Sequence, residues 1–229
     1  CSDPSSADKH STHAPADVTS LKGAQLLVFS KTSGWRHDSI PAGVAAIEKL
    51  ASEQGFKVVA TEDASQFSDA ELATFNAVVF LNTTSDVLNE QQELAMERYI
   101  QAGGGYVGIH AAADTETEGD WFWYRNLVGA VFKNHPNEPS NVQNARVDVT
   151  NKNHASTRDL PDHFELADEW YNYRDMYEFI NVLAKVDEST YQGGEHGHDH
   201  PISWYHDYDG GRAFYTGMGH TSEIFSNPD

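Results

Sequence analysis

The centre of the sequence is the stretch Gly103-Gly104-Gly105-Tyr106-Val107-Gly108-Ile109-His110-Ala111-Ala112-Ala113-Asp114-Thr115. It predicts an apolar strand that runs into small residues and then into a histidine and an aspartate. Ligands of open α/β sheets bind at the carboxyl ends of strands, so this polar pair is well placed for chemistry. The small residues Gly108, Ala111 and Ala112 permit a tight strand-to-helix turn that exposes His110. The alternative is a histidine that caps a helix or is satisfied beside the core.

Length and charge restrict the classes of protein that need to be considered. The 229 residues, 39% of them hydrophobic, are enough for one good core. We therefore predict a flexible tether over residues 1–20 and a single domain over residues 21–229. The 35 acidic and 15 basic residues give a net charge of -20, which opposes binding to nucleic acid or anionic lipid. High acidity also favours solubility without implying any function.

The first residue suggests where the protein is found. Cys1 is the only cysteine, so no intrachain disulfide can form. A cysteine followed by a polar, turn-rich segment resembles a bacterial lipoprotein after removal of its signal peptide. We expect an exported cell-envelope lipoprotein, on the periplasmic or extracellular face, attached to the membrane only through lipid on Cys1. The alternative is an arbitrary start of the chain.

Strands and helices alternate over the first half of the sequence. Buried strands are predicted by apolar runs at residues 24–30, 56–60, 77–81 and 106–109. Helices are predicted after Ser39, Ser68 and Asn89, and Leu94 is expected to face the core in the third of them. Short connections in a β-α-β-α-β-α-β order predict right-handed crossovers and a parallel sheet. Further strands are predicted at residues 146–150, 181–186 and 211–216.

A histidine-rich loop is one candidate metal site. Residues 195–200 contain three imidazoles and two carboxylates, a composition that suits zinc, nickel or copper. We predict His200 and Asp199 as the ligands, because His200 directly precedes the return of the chain to the core. The spacing does not define a structural zinc site, and a solvated loop that binds metal only loosely is the alternative.

A second polar turn repeats the pattern of the central stretch. Residues 215–221 form a strand that ends in glycines and then in His220. If this strand is parallel to the central one, His220 and His110 lie at the same edge as the early loop 35–37. Three imidazoles, the Arg36 guanidinium and the Asp114 carboxylate would then converge, a set suited to proton transfer or metal-assisted hydrolysis.

Five segments together closely resemble the ThuA-like (trehalose-utilisation) family. They are GWRH at 34–37, GIHAAADT at 108–115, DEWY at 168–171, DHPISW at 199–204 and GRAFYTGMGHT at 211–221. The resemblance covers about residues 24–225. It implies a class I glutamine amidotransferase-like fold, which is a flavodoxin-like, doubly wound, mainly parallel sheet with helices on both faces. It also implies a link to bacterial sugar metabolism, often in secreted or lipid-anchored forms.

The sequence departs from the amidotransferases at the position of their nucleophile. Those enzymes carry cysteine in a G-x-C-x-G turn, whereas residues 108–112 have His110 there. Glutaminase chemistry needs a thiolate, and the body of this chain has no cysteine, so that activity is excluded. The sequence stops at Asp229, soon after the last motif, so we expect the final helix of such sheets either to be absent or to belong to a longer parent protein.

The leading hypothesis is a sugar-processing hydrolase or lyase acting on a carbohydrate or keto-sugar. His110 and Asp114 are predicted as an acid/base pair, with His37 and His220 completing the catalytic group. The predicted substrate-binding residues are Trp35, Arg36, Trp121, Glu169, Tyr171, Trp204 and Thr221. Tryptophan rings suit the apolar faces of sugars, although core packing is the commoner explanation of an aromatic group such as that at 121–124.

Two other classes of function stay open. One is a non-catalytic cell-surface module that binds sugar or assembles with copies of itself. The other is a hydrolase that needs a divalent metal held by His110, His200 or His220. Fold alone does not decide among these alternatives.

Overall fold

The computed structural model of the chain describes residues 21–117 and 121–227. The predicted tether and Cys1 lie outside these residues, so lipidation and export stay predictions. The strands are β1 (Gln25–Phe29), β2 (Lys57–Thr61), β3 (Ala77–Leu81), β4 (Gly105–Ile109), β5 (Val131–Asn134), β6 (Val142–Val149), β7 (His163–Glu169), β8 (Asn172–Arg174), β9 (Asn181–Val186), β10 (Pro201–Tyr208) and β11 (Gly211–Thr216). The α-helices are α1 (Ile40–Gln54), α2 (Asp69–Leu72), α3 (Glu90–Gln101) and α4 (Phe122–Val128). None of the helices in this part of the chain has the length and apolar character needed to cross a membrane.

Nine strands form one mixed sheet in the order β2-β1-β3-β4-β11-β10-β9-β6-β7. The first five of these are parallel, and their order along the chain corresponds to the flavodoxin-like order 2-1-3-4-5. This confirms the predicted fold class. The other four strands continue the sheet in antiparallel pairs. Strands β5 and β8 make a separate antiparallel pair.

The elements form where local sequence favours them. The predicted start of α3 is confirmed, because the Asn89 side chain accepts the Gln92 N–H (3.1 Å) and the Gln92 side chain accepts the Asn89 N–H (2.9 Å). Residues Met96 and Ile100 of this helix are buried against the sheet. The prediction for Leu94 is wrong: its side chain is 45% exposed, because the helix turns this position towards solvent.

Candidate functional site

Four polar side chains meet at the carboxyl edge of the parallel strands. His37 follows β1, His110 follows β4, His220 follows β11 and Glu169 ends β7. Each offers one ligand atom, and these atoms all lie within 4.8 Å of one another. His37, His110 and Glu169 are buried, whereas the His220 side chain is 21% exposed. We call these four residues the edge cluster.

A strained turn presents His110 to the edge cluster. His110 has φ = 47°, which non-glycine residues rarely adopt, and it begins a 3-10 helix directly after β4. The turn is close-packed, since a Cβ on Gly108 would lie 2.8 Å from the Tyr106 hydroxyl oxygen and 3.2 Å from Ala112 Cβ. The tight strand-to-helix turn expected from the sequence is therefore present.

The tautomer of His110 follows from its hydrogen bond. Its Nδ1 lies 2.7 Å from the Gly217 carbonyl oxygen, which can only accept, so Nδ1 carries the proton. In the neutral ring, Nε2 then bears a lone pair. This buried Nε2 has no hydrogen-bond partner, although it lies 3.4 Å from Glu169 Oε2.

Glu169 is the anion of the edge cluster. Its Oε2 lies 3.1 Å from His220 Nδ1, again without hydrogen-bond alignment. Its Oε1 accepts a hydrogen bond from Asn141 Nδ2 (2.9 Å) and lies 3.5 Å from His135 Nε2. Burial would raise the pKa of this carboxyl group, but His110 and His220 outweigh burial and hold the pKa well below its usual range. Glu169 is therefore ionised.

The other two imidazoles differ in their affinity for protons. Burial, reinforced by His110 and His220, lowers the pKa of His37 to about 3, so this ring is neutral. Its buried Nδ1 has no hydrogen-bond partner. Burial would also lower the pKa of His220, but its close contact with the negatively charged Glu169 carboxylate raises the pKa above the usual value.

Two buried side chains hold the loops around the edge cluster. Asn82, at φ = 51°, hydrogen-bonds to residues on the loops of all three histidines. Asp168 accepts the backbone N–H groups of Gly219 (2.7 Å) and Thr221 (3.1 Å), the two neighbours of His220. Burial raises the pKa of Asp168, and these hydrogen bonds oppose that effect. The positions of the ligand atoms therefore depend on both side chains.

Several predicted site residues lie outside the edge cluster. Glu169, rather than Asp114, provides the carboxylate, so the structure does not place the predicted His110–Asp114 pair in this group. Arg36 pairs with Glu62 (2.6 Å) instead of joining the cluster. Tyr171 is buried with its ring centroid 4.0 Å from that of His110, which makes it a wall of the site. Thr221 contributes its backbone N–H to Asp168.

The three predicted sugar-stacking tryptophans have different environments. Trp204 is fully buried and donates its indole N–H to the Val128 carbonyl oxygen (2.8 Å). Trp121 is buried against the neighbouring rings Trp123 and Tyr124. The stacking role is therefore wrong for Trp204 and Trp121, because core packing covers their faces. Trp35 is 73% exposed, two residues before His37.

The predicted metal ligands His200 and Asp199 are engaged elsewhere. Both ring nitrogens of His200 have protein contacts, since Nε2 lies 2.8 Å from the Tyr171 carbonyl oxygen and Nδ1 lies 2.8 Å from Glu188 Oε1. Asp199 pairs with Lys185 (2.8 Å). The Nδ1 atom also lies 3.1 Å from the Tyr191 hydroxyl oxygen. Both ring nitrogens of His200 are therefore engaged within the protein, so the geometry corrects this prediction and favours the edge cluster.

The sequence did not indicate two neighbours of Glu169. His135 follows β5, and its side chain is 28% exposed. Asn141 lies just before β6 and donates to Glu169. Neither follows a strand of the parallel half, so the rule that places polar residues at the carboxyl edge could not find them. Their positions depend on the antiparallel half of the sheet.

The comparison with protein families shows the family of the chain. The model of the ThuA family, described as "Trehalose utilisation", matches residues 25–229. The chain belongs to the ThuA family. No match was found among curated proteins.

Solved structures support the same assignment for this ThuA chain. A ThuA-like protein from Bacteroides uniformis is 25% identical, with a TM-score of 0.75 over 94% of this chain and 90% of that one. A ThuA-like protein from Parabacteroides merdae is 20% identical, with a TM-score of 0.69 over 87% and 81%. A β-galactosidase from Bacillus circulans is 13% identical, with a TM-score of 0.57, and the match covers 88% of this chain but 29% of the enzyme. The last two similarities concern the fold alone.

Proposed function

We propose that this ThuA chain is an enzyme that acts on a carbohydrate at the edge cluster. The observation that carries the proposal is a pair of buried, unpartnered nitrogens, His37 Nδ1 and His110 Nε2. Leaving a buried polar atom unsatisfied costs about 1–3 kcal/mol. A single atom of this kind also occurs at His206, whereas several of them in one cluster are typical of a site that receives a ligand.

Two features support a carbohydrate as the ligand. The family description concerns trehalose, a sugar. The exposed Trp35 indole, two residues from His37, offers an apolar face of the kind that packs against sugar C–H groups. The net charge of -20 disfavours phosphorylated or acidic sugars, so the proposed substrate is an uncharged sugar or keto-sugar.

Turnover of defined sugars tests the proposal. Trehalose, other neutral disaccharides and their keto derivatives would be incubated with the protein and followed by NMR for bond cleavage or elimination. We expect one of them to be consumed, and His110→Gln to abolish that reaction while the protein stays folded.

The matched control is His206→Gln. His206 is also buried with an unpartnered Nδ1, but it lies outside the edge cluster and contacts the Asn126 carbonyl oxygen. Full activity of the His110 variant would contradict the proposal. Sugar binding without turnover would instead support a non-catalytic sugar-binding module.

A further inference from the structure

We infer that His37, His110, Glu169 and His220 bind one divalent transition-metal ion. The inference deepens the proposed function, on which it rests for the role of the metal in sugar chemistry. Three imidazoles and one carboxylate are a ligand set that suits zinc and neighbouring first-row metals. The four side chains come from four separate places in the chain, yet their ligand atoms all lie within 4.8 Å of one another.

The distances between ligand atoms suit a metal ion between them. Nitrogen and oxygen ligands lie about 2.0–2.2 Å from zinc, so neighbouring ligands in a tetrahedron are roughly 3.3 Å apart. In this chain, Glu169 Oε2 lies 3.4 Å from His110 Nε2 and 3.1 Å from His220 Nδ1. The Glu169 carboxylate therefore already stands at ligand spacing from two imidazole nitrogens.

The missing hydrogen bonds separate a metal site from an ordinary histidine–carboxylate network. Three nitrogens of the edge cluster, His37 Nδ1, His110 Nε2 and His220 Nδ1, are buried without a hydrogen-bond partner. Two of them are close to Glu169 but are not aligned to donate a proton to it. A metal ion among these atoms, taking the place of any ring proton there, would bind the three nitrogens and the carboxylate together.

Two of the proposed ligands, His110 and Glu169, are oriented by hydrogen bonds to neighbouring groups. Metal ligands in proteins are commonly oriented by outer-shell groups in this way. The Gly217 carbonyl oxygen accepts the Nδ1 proton of His110 and thereby directs the lone pair of Nε2 into the edge cluster. Asn141 donates to the second carboxylate oxygen of Glu169. Both contacts fix ligand orientation without taking a donor atom from the metal.

One side of the site is open to a substrate. The side chains of His220 and His135 are partly exposed, whereas those of His37, His110 and Glu169 are buried. A catalytic metal also needs a position for its substrate, so a sugar oxygen would join the four protein ligands as a fifth, from the side near His220 and His135. A metal ion there would polarise a sugar oxygen as a Lewis acid.

Metal binding is tested directly on the full chain, purified without a histidine tag and treated with a chelator. Zn²⁺ and Co²⁺ would be titrated separately by calorimetry, and the Co²⁺ protein would be followed by visible absorption. We expect one equivalent of metal, absorption bands typical of nitrogen and oxygen ligands, and a rise in Tm upon binding. His110→Ala and Glu169→Gln should each weaken binding by more than about 100-fold, beyond the loss seen for outer-shell residues.

Two variants outside the edge cluster serve as controls for metal binding. His206→Gln removes a buried imidazole outside the edge cluster and should bind metal like the wild type, whereas His198→Ala tests the histidine-rich loop. Circular dichroism checks that the variants are folded. If a ligand variant does not fold, the number of imidazole ligands in the wild-type Co²⁺ protein, from X-ray absorption, decides instead. We expect three.

Several results would overturn the inference. They are a stoichiometry well below one, unchanged binding in the folded ligand variants, or loss of binding in the His198 variant. Undiminished sugar turnover in the chelator-treated protein would reject a role of the metal in the reaction and leave the proposed function intact. Tight metal binding without turnover of any sugar would reject the proposed function and leave the metal site.

Discussion

The side-chain amide of Asn82 donates a hydrogen bond to the Gly219 carbonyl oxygen (3.0 Å) across 137 positions of sequence. The same amide donates to Ser39 Oγ (3.0 Å), and its oxygen accepts the Ala111 N–H (3.4 Å). Ser39, Gly219 and Ala111 lie on the three loops that carry the histidines of the edge cluster. One buried side chain therefore sets the spacing of three proposed ligands.

Asn82→Ser should weaken metal binding about 10–100-fold, as expected when an outer-shell group is lost. The matched control is Asn172→Ser, because Asn172 is also buried but donates to Asn134 and Gly193 rather than to the loops of the three histidines. Both changes should lower Tm, but calorimetry should show weaker Zn²⁺ binding only for Asn82→Ser. Equal weakening in both would contradict the positioning role.

Asp168→Asn should reduce the free energy of unfolding by about 1–3 kcal/mol. Asp168 accepts two backbone N–H groups, from Gly219 and Thr221, and an amide offers one acceptor oxygen beside an NH₂ group. One buried N–H would therefore lose its partner. Urea unfolding measures the effect, with the exposed Asp159→Asn as the control. A loss no larger than that of the control would show that the two hydrogen bonds are unimportant.

Replacement by alanine should lower stability at Trp204 and sugar binding at Trp35. Trp204→Ala empties a fully buried site and should cost about 3–5 kcal/mol of stability. Trp35→Ala removes an exposed ring and should leave Tm nearly unchanged while weakening sugar binding. Thermal unfolding and calorimetry with the sugar that is turned over check both. Unaltered sugar binding by Trp35→Ala would remove Trp35 from the site.

Glu93→Gln should stabilise the protein at pH 8 but not at pH 4. Burial, followed by the charges of Glu116 and Asp86, raises the pKa of Glu93 from 4.5 to about 7. The folded state therefore binds the proton more tightly than the unfolded state, and stability falls as pH rises through this range. The glutamine side chain does not ionise, so the Glu93→Gln protein keeps this stability at pH 8. The difference in Tm between variant and wild type is measured at both pH values, with the exposed Glu48→Gln on α1 as control. The same shift at both pH values would point to another cause.

The parallel half of the sheet was predictable because each of its first four strands is a short apolar run followed by a helix signal. The same rule placed His37, His110 and His220 at one edge, where the structure brings them together. Only the family resemblance points to Glu169. Its position beside the three histidines depends on how the antiparallel strands continue the sheet, and the sequence pattern does not reveal this. Asp114 was favoured because it is close to His110 in sequence, but nearness along the chain does not fix where a side chain points.

Aromatic and polar side chains were harder to place than strands. Trp204 and Trp35 have the same side chain, yet Trp204 lies in the core and Trp35 is exposed. The histidine-rich loop looked like a metal site by composition, but His200 uses both nitrogens for contacts within the protein. Composition shows which donors are present, whereas hydrogen bonding decides which of them are available.

The edge cluster draws its imidazoles from the parallel half of the sheet and its carboxylate from the antiparallel half. Ser39, two residues after His37, donates a hydrogen bond to the carbonyl oxygen of Gly219, the residue before His220, across 180 positions of sequence. An ion held there would fasten the beginning, middle and end of the domain to one another. Because the four ligands meet only in the folded chain, loss of such an ion would loosen the whole molecule, and resistance to proteolysis would depend on metal supply.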